Sequence, residues 1–414
     1  MFQLFLKPIW KNFFNLGVFQ AAGMLLQLIA IPFITQKYGL ITFGEVALAS
    51  SIGLLLANLV NYGSNQTAVK DISIHRNDKK ELSKIFSEIF CLRLVVFITI
   101  TTITTIITIT TNPKFLILFF SILPLIAAEV CNPLFFLIGI EKIYWISWGN
   151  LITRALSLCL VYFILINHHI AAYLNLMLSL PLFIYYLILY FLIIYKFELS
   201  ISFNHTNGLR KKIKENFYVT FNGSSVVLQQ SIFMFAAAGA VSPQTLGAYG
   251  IIDKLLGAVR QLVSAFSSAI YPRAALLYNE GVEKWIAFRT TIEKVYAVVC
   301  IMLAFVIFLL SNMGSIVFTG KEDATLILFL KYFSLAPLAL ALNANNVLEL
   351  LLKKHYRQMF DVSVLIIIAT GAISFFLTRF FNESAIGLYP LIIESLCLLI
   401  YTFFLRRLKP TMVE

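Results

Sequence analysis

The chain has 414 residues, of which 60% are hydrophobic and only 13% are charged, and its mean hydropathy is +0.87. This composition leaves too little polar surface for a soluble fold and indicates a membrane protein. The formal net charge of +12 is concentrated in short segments beside apolar stretches, where basic side chains set topology and meet anionic headgroups. We therefore predict no nucleic-acid partner and expect the lipid bilayer to be the main one.

Twelve apolar stretches follow one another along the chain, each about 20 residues long and able to cross a hydrocarbon core of about 30 Å. Lipid offers the backbone no hydrogen-bond partners, and no barrel-type alternation of about ten residues recurs, so all of them are predicted to be α-helices. The predicted spans lie near residues 13–35, 44–63, 85–111, 115–137, 144–166, 170–195, 217–240, 247–271, 295–318, 325–348, 360–380 and 386–405.

Basic residues alternate between the polar segments that separate these spans. Seven segments, including both termini, carry 23 Lys and Arg residues. The six segments between them carry only 4, namely Lys37, Lys114, Lys321 and Arg379. By the positive-inside rule the basic segments are cytoplasmic. The sequence therefore predicts an even number of crossings, with both termini in the cytoplasm.

A long polar segment in the middle of the chain separates six spans from six spans. It predicts an N-terminal lobe at 1–195, a cytoplasmic linker at 196–216 and a C-terminal lobe at 217–414. KNFF at 11–14 recurs as ENFY at 215–218, and Phe43-Gly44 recurs as Leu246-Gly247. Parallel repeats of this kind would be related by an axis along the membrane normal and would leave a central cleft. Chance similarity between apolar helices is the alternative.

The eighth predicted span carries polar and small residues along one helical face. Asp253, Gly257, Arg260 and Ser264 recur at steps of three, four or seven, which places them on the same side of a helix. Such a stripe lines a polar pathway, or alternatively packs against a neighbouring helix with Asp253 and Arg260 paired across the contact. The charged residues predicted to lie within spans are Glu45, Glu88, Arg93, Glu129, Arg154, Asp253, Lys254, Arg260, Lys331 and Glu394.

The sequence carries no signature of catalysis or of a metal site. Its five cysteines occur singly within apolar stretches, and His168 and His169 occupy a predicted external turn. It contains no P-loop, zincin pattern or nucleophile elbow. We therefore predict no enzymatic activity, no cofactor and no metal.

Three stretches resemble a known family. NFFNLGVFQAAGMLLQLIAIPFITQKYGLITFGEVALASS at 12–51, NYGSNQTAVKDIS at 61–73 and YGIIDKLLGAVRQLVSAFSSAIYPRAALL at 249–277 are similar to the O-antigen, or Wzx-type, flippases of bacterial polysaccharide biosynthesis. The resemblance implies the fold of the multidrug/oligosaccharidyl-lipid/polysaccharide (MOP) exporter superfamily. This is an all-α integral membrane protein with about twelve transmembrane helices in two six-helix lobes around a central cavity.

The resemblance also implies a substrate and a location. The substrate would be an O-antigen repeat unit of lipopolysaccharide, carried as an oligosaccharide on undecaprenyl pyrophosphate. It would be moved from the cytoplasmic to the periplasmic leaflet of the bacterial inner membrane by alternating access. A polysaccharide polymerase and a chain-length regulator would be further partners.

By analogy with the family, cations in the cavity would meet the pyrophosphate. Arg154, Lys254 and Arg260 are the candidates by position, because Arg binds phosphate oxygens through its planar fork and Lys binds them as a point charge. Uncharged polar groups suit sugar hydroxyls. The remaining candidate contacts to the substrate are Asp253, Ser264, Gln27 and Arg93.

Three carboxylates within spans are candidates for ion coupling, namely Glu129, Glu394 and Glu88. A buried carboxylate can carry a proton, and it can equally belong to a structural pair. The predicted spans contain five basic and five acidic residues. This balance departs from the family pattern, since it does not indicate a strongly cationic lumen.

Other classes remain open at this point. A multidrug or cation exporter of the same superfamily would share the architecture but should favour acidic and aromatic cavity groups, whereas Arg and Lys occur in the fifth and eighth spans here. A membrane-embedded glycan polymerase or ligase would need a large periplasmic loop, and no predicted external segment exceeds about ten residues. A lipid II-type flippase is a nearer alternative, although such proteins usually have more spans.

Overall fold

The computed structural model describes residues 2–111, 113–167, 173–201, 216, 220, 225–353 and 355–407. Over these residues the chain is almost entirely helical and contains no strand. Nine of the described helical segments are long and apolar enough to cross a membrane, and a shorter apolar helix lies at Ser225–Ala238. The predicted all-α membrane fold is confirmed.

Fifteen helices are labelled here in chain order, with short 3-10 helices at Pro113–Phe115 and Glu383–Leu388. They are α1 (Phe2–Asn61), α2 (Ser64–Ile74), α3 (Lys79–Thr111), α4 (Leu116–Cys131), α5 (Leu134–Gly139), α6 (Tyr144–Asn167), α7 (Leu174–Phe197), α8 (Ser225–Ala238), α9 (Pro243–Glu280), α10 (Val282–Leu309), α11 (Ser311–Thr319), α12 (Ala324–Phe333), α13 (Ala336–Leu352), α14 (Tyr356–Phe380) and α15 (Tyr389–Arg407).

The chain forms two compact units. One unit comprises Glu45–Ser231, and the other comprises Met1–Gly44 together with Ile232–Glu414. The predicted linker at 196–216 lies largely outside the described residues.

The first two predicted spans lie in α1, which consists of two helices joined at a kink. A polar gap is predicted between the spans near residues 36–43, and the kink falls within it. The kink is confined to Gly39, whose backbone angles of φ 78° and ψ 169° are not helical. Residues that carry a Cβ atom rarely adopt these backbone angles, so glycine permits the sharp turn at this position.

The unit at Glu45–Ser231 is built on an aromatic core between α3, α5 and α7. Phe86 stacks on Tyr190 with ring centroids 4.8 Å apart and meets Phe136 edge-on at 5.5 Å. The β-branched end of α3 stays helical because its threonines return hydrogen bonds to carbonyls one turn earlier. Thr105, for example, donates to the carbonyl oxygen of Thr101 at 2.7 Å.

In the other unit, α9 packs closely against α1. Gly44 and Gly247, which the sequence repeat aligns, lie in direct backbone contact. A Cβ atom on Gly247 would overlap the carbonyl oxygen of Leu40, so glycine is needed for this approach. A second contact lies on the opposite side of α9, where Phe233, Tyr249 and Tyr389 form an aromatic cluster. These contacts fix the helix that carries the polar stripe.

Candidate functional site

Helix α9 is held at its N-terminal end by a capping network. Ser242 caps the helix by accepting from the Thr245 N–H, and Pro243 supplies the preset backbone angle of the first turn. The carboxylate of Glu383 accepts from the Ser242 N–H at 2.8 Å and from the Ser242 hydroxyl at 2.6 Å. The 38-residue helix that follows is about 57 Å long and ends before Gly281.

Arg260, near the middle of α9, forms an ion pair with Glu394 of α15. Its Nε donates to Glu394 Oε1 at 3.0 Å, and its Nη2 donates to the same oxygen at 2.5 Å. The side chains are only 15% and 6% exposed, so the pair is largely desolvated. The structure therefore unites a predicted substrate-binding residue with a predicted ion-coupling residue.

The polar stripe of α9 also presents atoms that no neighbour satisfies. Within the described chain, Arg260 Nη1 and Asp253 Oδ1 are buried and have no hydrogen-bond partner. Gly257 lies between these two residues, and a Cβ atom placed on it would meet no heavy atom of the described residues within 4 Å. Lys254 is half-buried beside Asp253, and Ser264 is exposed further along the helix. The stripe thus faces open space around Gly257.

Arg93 occupies a different environment in the other unit. It is completely buried, and its Nε donates to the Ser64 hydroxyl at 2.8 Å. Its Nη2 donates to the Asn65 side-chain oxygen at 2.8 Å, and its Nη1 donates to the carbonyl oxygens of Glu129 and Asn132 at 2.9 and 2.5 Å. The guanidinium thus joins the start of α2 to the break between α4 and α5, where it satisfies carbonyls at the end of a broken helix. This geometry favours a structural role.

Glu129 belongs to the same cluster. Its carboxylate accepts from the side-chain amide of Asn61 at 3.2 Å and from that of Asn132 at 3.0 Å. Arg93 also donates to the Glu129 backbone carbonyl oxygen, which places the two residues together. Proline at 133 separates α4 from α5, so the predicted fourth span is interrupted at this cluster. A carboxylate held by two amides is restrained in its present position.

The remaining predicted site residues lie outside both clusters. Arg154 is half-buried on α6, and its Nη1 is buried without a hydrogen-bond partner in the described chain. Glu88 is 6% exposed near the start of α3, and Gln27 is exposed on α1. Arg154 and Arg260 belong to different compact units.

Sequence reasoning missed a charged network between α10 and α13. Arg289 donates to Glu293 at 2.8 Å and to the Asn346 side chain at 2.9 Å, and it also pairs with Glu349. Lys353 lies 2.6 Å from Glu349. Opposite charges four residues apart, at 289 and 293 and again at 349 and 353, were the available sequence signal. The network joins predicted cytoplasmic ends of helices.

Known structures share this arrangement of helices. The inward-facing conformation of a multidrug resistance MATE family transporter of the MOP superfamily is similar with a TM-score of 0.74 and 14% identity, covering 92% of this chain and 94% of that one. The lipid II flippase MurJ in an inward closed conformation is similar with a TM-score of 0.71 and 11% identity, covering 94% and 87%. The chain therefore has the same overall fold as these two proteins.

Sequence comparison then identifies the family. The profile of polysaccharide biosynthesis proteins matches residues 9–277, and the chain belongs to that family. A protein of Escherichia coli (strain K12), named as a candidate O-antigen transporter, is 22% identical over 419 residues, covering 96% of this chain and 97% of its own. The predicted resemblance is confirmed, and the protein is a multi-pass membrane protein of the polysaccharide biosynthesis family.

Proposed function

We propose that this protein is a flippase for an O-antigen repeat unit linked to undecaprenyl pyrophosphate. It would move that lipid from the cytoplasmic to the periplasmic leaflet of the inner membrane without making or breaking a covalent bond. The observation that carries the proposal is the Arg260 guanidinium, buried in the middle of α9 with Nη1 unbonded. In a chain of the polysaccharide biosynthesis family, an anionic lipid headgroup is the natural partner for such a group.

The energetic cost of moving such a lipid across the bilayer falls on its polar headgroup. A polyprenyl tail can stay in hydrocarbon throughout, whereas a pyrophosphate and its sugars need polar partners on the way. Arg260 can offer Nη1 to a phosphate oxygen at once, and it can offer Nε and Nη2 if the phosphate displaces Glu394.

Glu394 is the best candidate for ion coupling in this scheme. It holds Arg260 while the site is empty, and phosphate binding would remove its counterion. The partner of the Glu394 carboxylate would then differ between the loaded and the empty protein. Alternating access requires such a difference between the loaded and empty states.

The experiment is flipping of a fluorescent undecaprenyl-pyrophosphate oligosaccharide in proteoliposomes, measured by quenching of the outer leaflet. Arg260→Ala should abolish flipping while the protein still reconstitutes at the wild-type level. Arg260→Lys should retain part of the rate, because it keeps the charge but loses the planar fork. Arg379→Ala, which removes an exposed arginine at the end of α14, is the matched control and should flip normally.

The same vesicles separate the rival functions. A cationic dye trapped in the vesicles tests multidrug or cation export, and a lipid carrying a muramyl peptide tests a lipid II-type activity. Normal flipping of the oligosaccharide lipid by Arg260→Ala would remove Arg260 from the mechanism. Transport of the dye, with no movement of either lipid, would overturn the proposed substrate.

A further inference from the structure

The stripe on α9 holds a buried acceptor and a buried donor that are both unmatched. Asp253 Oδ1 and Arg260 Nη1 each lack a hydrogen-bond partner in the described part of the chain. Buried polar atoms in native proteins are normally satisfied, and those that are not call for an explanation. Another buried arginine of the chain is matched, because Arg93 donates to four protein oxygens. Burial of a guanidinium in this chain does not by itself leave its nitrogens unmatched.

The two unmatched atoms belong to residues on the same face of one helix. Asp253 and Arg260 are seven residues apart, which is nearly two whole helical turns and a rise of about 10 Å along the helix axis. Gly257 lies midway, and no described heavy atom lies within 4 Å of the position that its Cβ would take. A ligand could therefore lie along the helix over Gly257 and reach both residues.

The chemistry of the two atoms defines what that ligand must present. Arg260 Nη1 needs an acceptor, and an anionic oxygen suits it best. Asp253 Oδ1 needs a hydrogen-bond donor. A phosphate would be repelled by this acidic side chain, whereas a neutral hydroxyl or amide N–H group would donate to it. Lys254 and Arg260 of the same helix place positive charge on the C-terminal side of Asp253 along the chain. The complementary ligand has an anionic end and a hydroxyl-bearing end side by side.

We propose that α9 recognises the sugar–phosphate junction of the substrate, with Arg260 on a phosphate and Asp253 on a hydroxyl or amide group of the first sugar. This inference rests on the proposed function and deepens it. It makes Asp253 a specificity residue and gives the bound headgroup a direction. The phosphate lies at the middle of α9, and the sugar lies toward the end of the helix that begins at Pro243.

Two lipids test this inference in equilibrium binding to the purified full-length protein in nanodiscs. One is undecaprenyl pyrophosphate, and the other is the same lipid carrying a single N-acetylhexosamine. The wild type should bind the glycosylated lipid more tightly. Asp253→Ala should reduce that preference about ten-fold, the loss expected for one charge-assisted hydrogen bond, and should leave the affinity for the bare lipid unchanged. Arg260→Ala should weaken binding of both lipids.

Three further variants sharpen the test. Asp253→Asn keeps an acceptor oxygen and should retain part of the preference for the sugar. Gly257→Leu fills the gap over the helix and should weaken binding of the glycosylated lipid more than binding of the bare lipid. Asp361→Ala removes an exposed carboxylate on α14 and should bind both lipids normally.

The unfolding temperature of the lipid-free protein shows whether Asp253 acts in recognition or in holding the structure together. Asp253→Ala should unfold at the wild-type temperature or above it, because it removes a buried carboxylate oxygen that has no partner. A clear loss of stability, or equal weakening of both lipids, would overturn the inference for Asp253 and leave the proposed function intact. An unchanged preference for the sugar would overturn it as well. If the wild type bound neither lipid, the proposed function would fail and the inference with it.

Discussion

Arg93 and Arg260 show how the surroundings of a buried arginine determine its role. Arg93 is enclosed by acceptors from the start of α2 and from the break between α4 and α5, and it also lies 5.2 Å from the centre of the Phe135 ring. Arg260 is held by one carboxylate oxygen and keeps a nitrogen free. A satisfied buried cation stabilises the structure around it, whereas an unsatisfied one can gain from a ligand.

Replacement of Arg93 should therefore affect stability before it affects transport. Arg93→Met leaves two helix-end carbonyl oxygens without their donor, and each buried acceptor left unsatisfied costs about 1–3 kcal/mol. The apparent melting temperature in detergent should fall clearly. The double variant Arg93→Met with Glu129→Gln should recover part of this loss, because no uncompensated charge is left buried.

Arg154→Met is the control for that measurement. Arg154 lies in the same compact unit, but its Nη1 has no hydrogen-bond partner in the described chain, so its replacement should change the melting temperature little. A melting temperature of Arg93→Met equal to that of Arg154→Met would contradict the structural role of Arg93.

Sequence could identify these residues singly but could not pair them. Each charge within an apolar span stands out because insertion into lipid is costly, which is why Arg260 and Glu394 were both candidates. The pair joins residues 134 positions apart on different helices, and no local pattern encodes that distance. The amides around Glu129 were also out of reach, since Asn61 and Asn132 come from separate helix ends.

At the scale of helices, hydropathy predicted most segments, because an unpaired backbone N–H or C=O group costs free energy in lipid whichever span it belongs to. The features that hydropathy did not predict depend on single residues. Gly39 confines the turn of α1 to one position, which the polar residues near it do not reveal. Proline at 133 marks the break between α4 and α5, and this signal was present in the sequence.

Two of the three glycines of α9 give a matched prediction about helix packing. Gly247→Ala places a methyl group against the Leu40 backbone, which cannot yield as a side chain would, so the variant should lose about 1–3 kcal/mol of stability. Gly257→Ala meets open space and should gain about 0.5–1 kcal/mol, because alanine is the better helix former. Thermal unfolding of both variants in the same detergent is the measurement. Equal stabilities would show that α1 and α9 do not make the close contact.

At the scale of the whole molecule, the apolar exterior agrees with lipid as the solvent. In α3 and in the segment Glu283–Leu309 only 17% of the most apolar window is buried inside the protein, so isoleucine, valine and phenylalanine side chains remain uncovered. A soluble protein rarely exposes so much contiguous apolar surface. The class of fold was therefore predictable from composition, because the bilayer imposes it on the entire chain at once.

Orientation in the membrane is the remaining whole-molecule prediction, and it decides the direction of transport. The split of 23 against 4 basic residues places the turn that contains Lys321 outside the cytoplasm and the segment that contains Lys284 inside it. Both residues are exposed, so a cysteine at either position would be accessible from its own side of the membrane. In a background without the five native cysteines, a membrane-impermeant maleimide should label Lys321→Cys in intact spheroplasts.

The same reagent should label Lys284→Cys only after the membrane is permeabilised. The reverse pattern would invert the whole molecule, because successive spans alternate in direction and inverting one of them inverts all the others. Asp253 would then lie toward the cytoplasmic end of α9 rather than toward the external end. The sugar would point away from the periplasm, and α9 would present the headgroup in the opposite direction to the one that export requires.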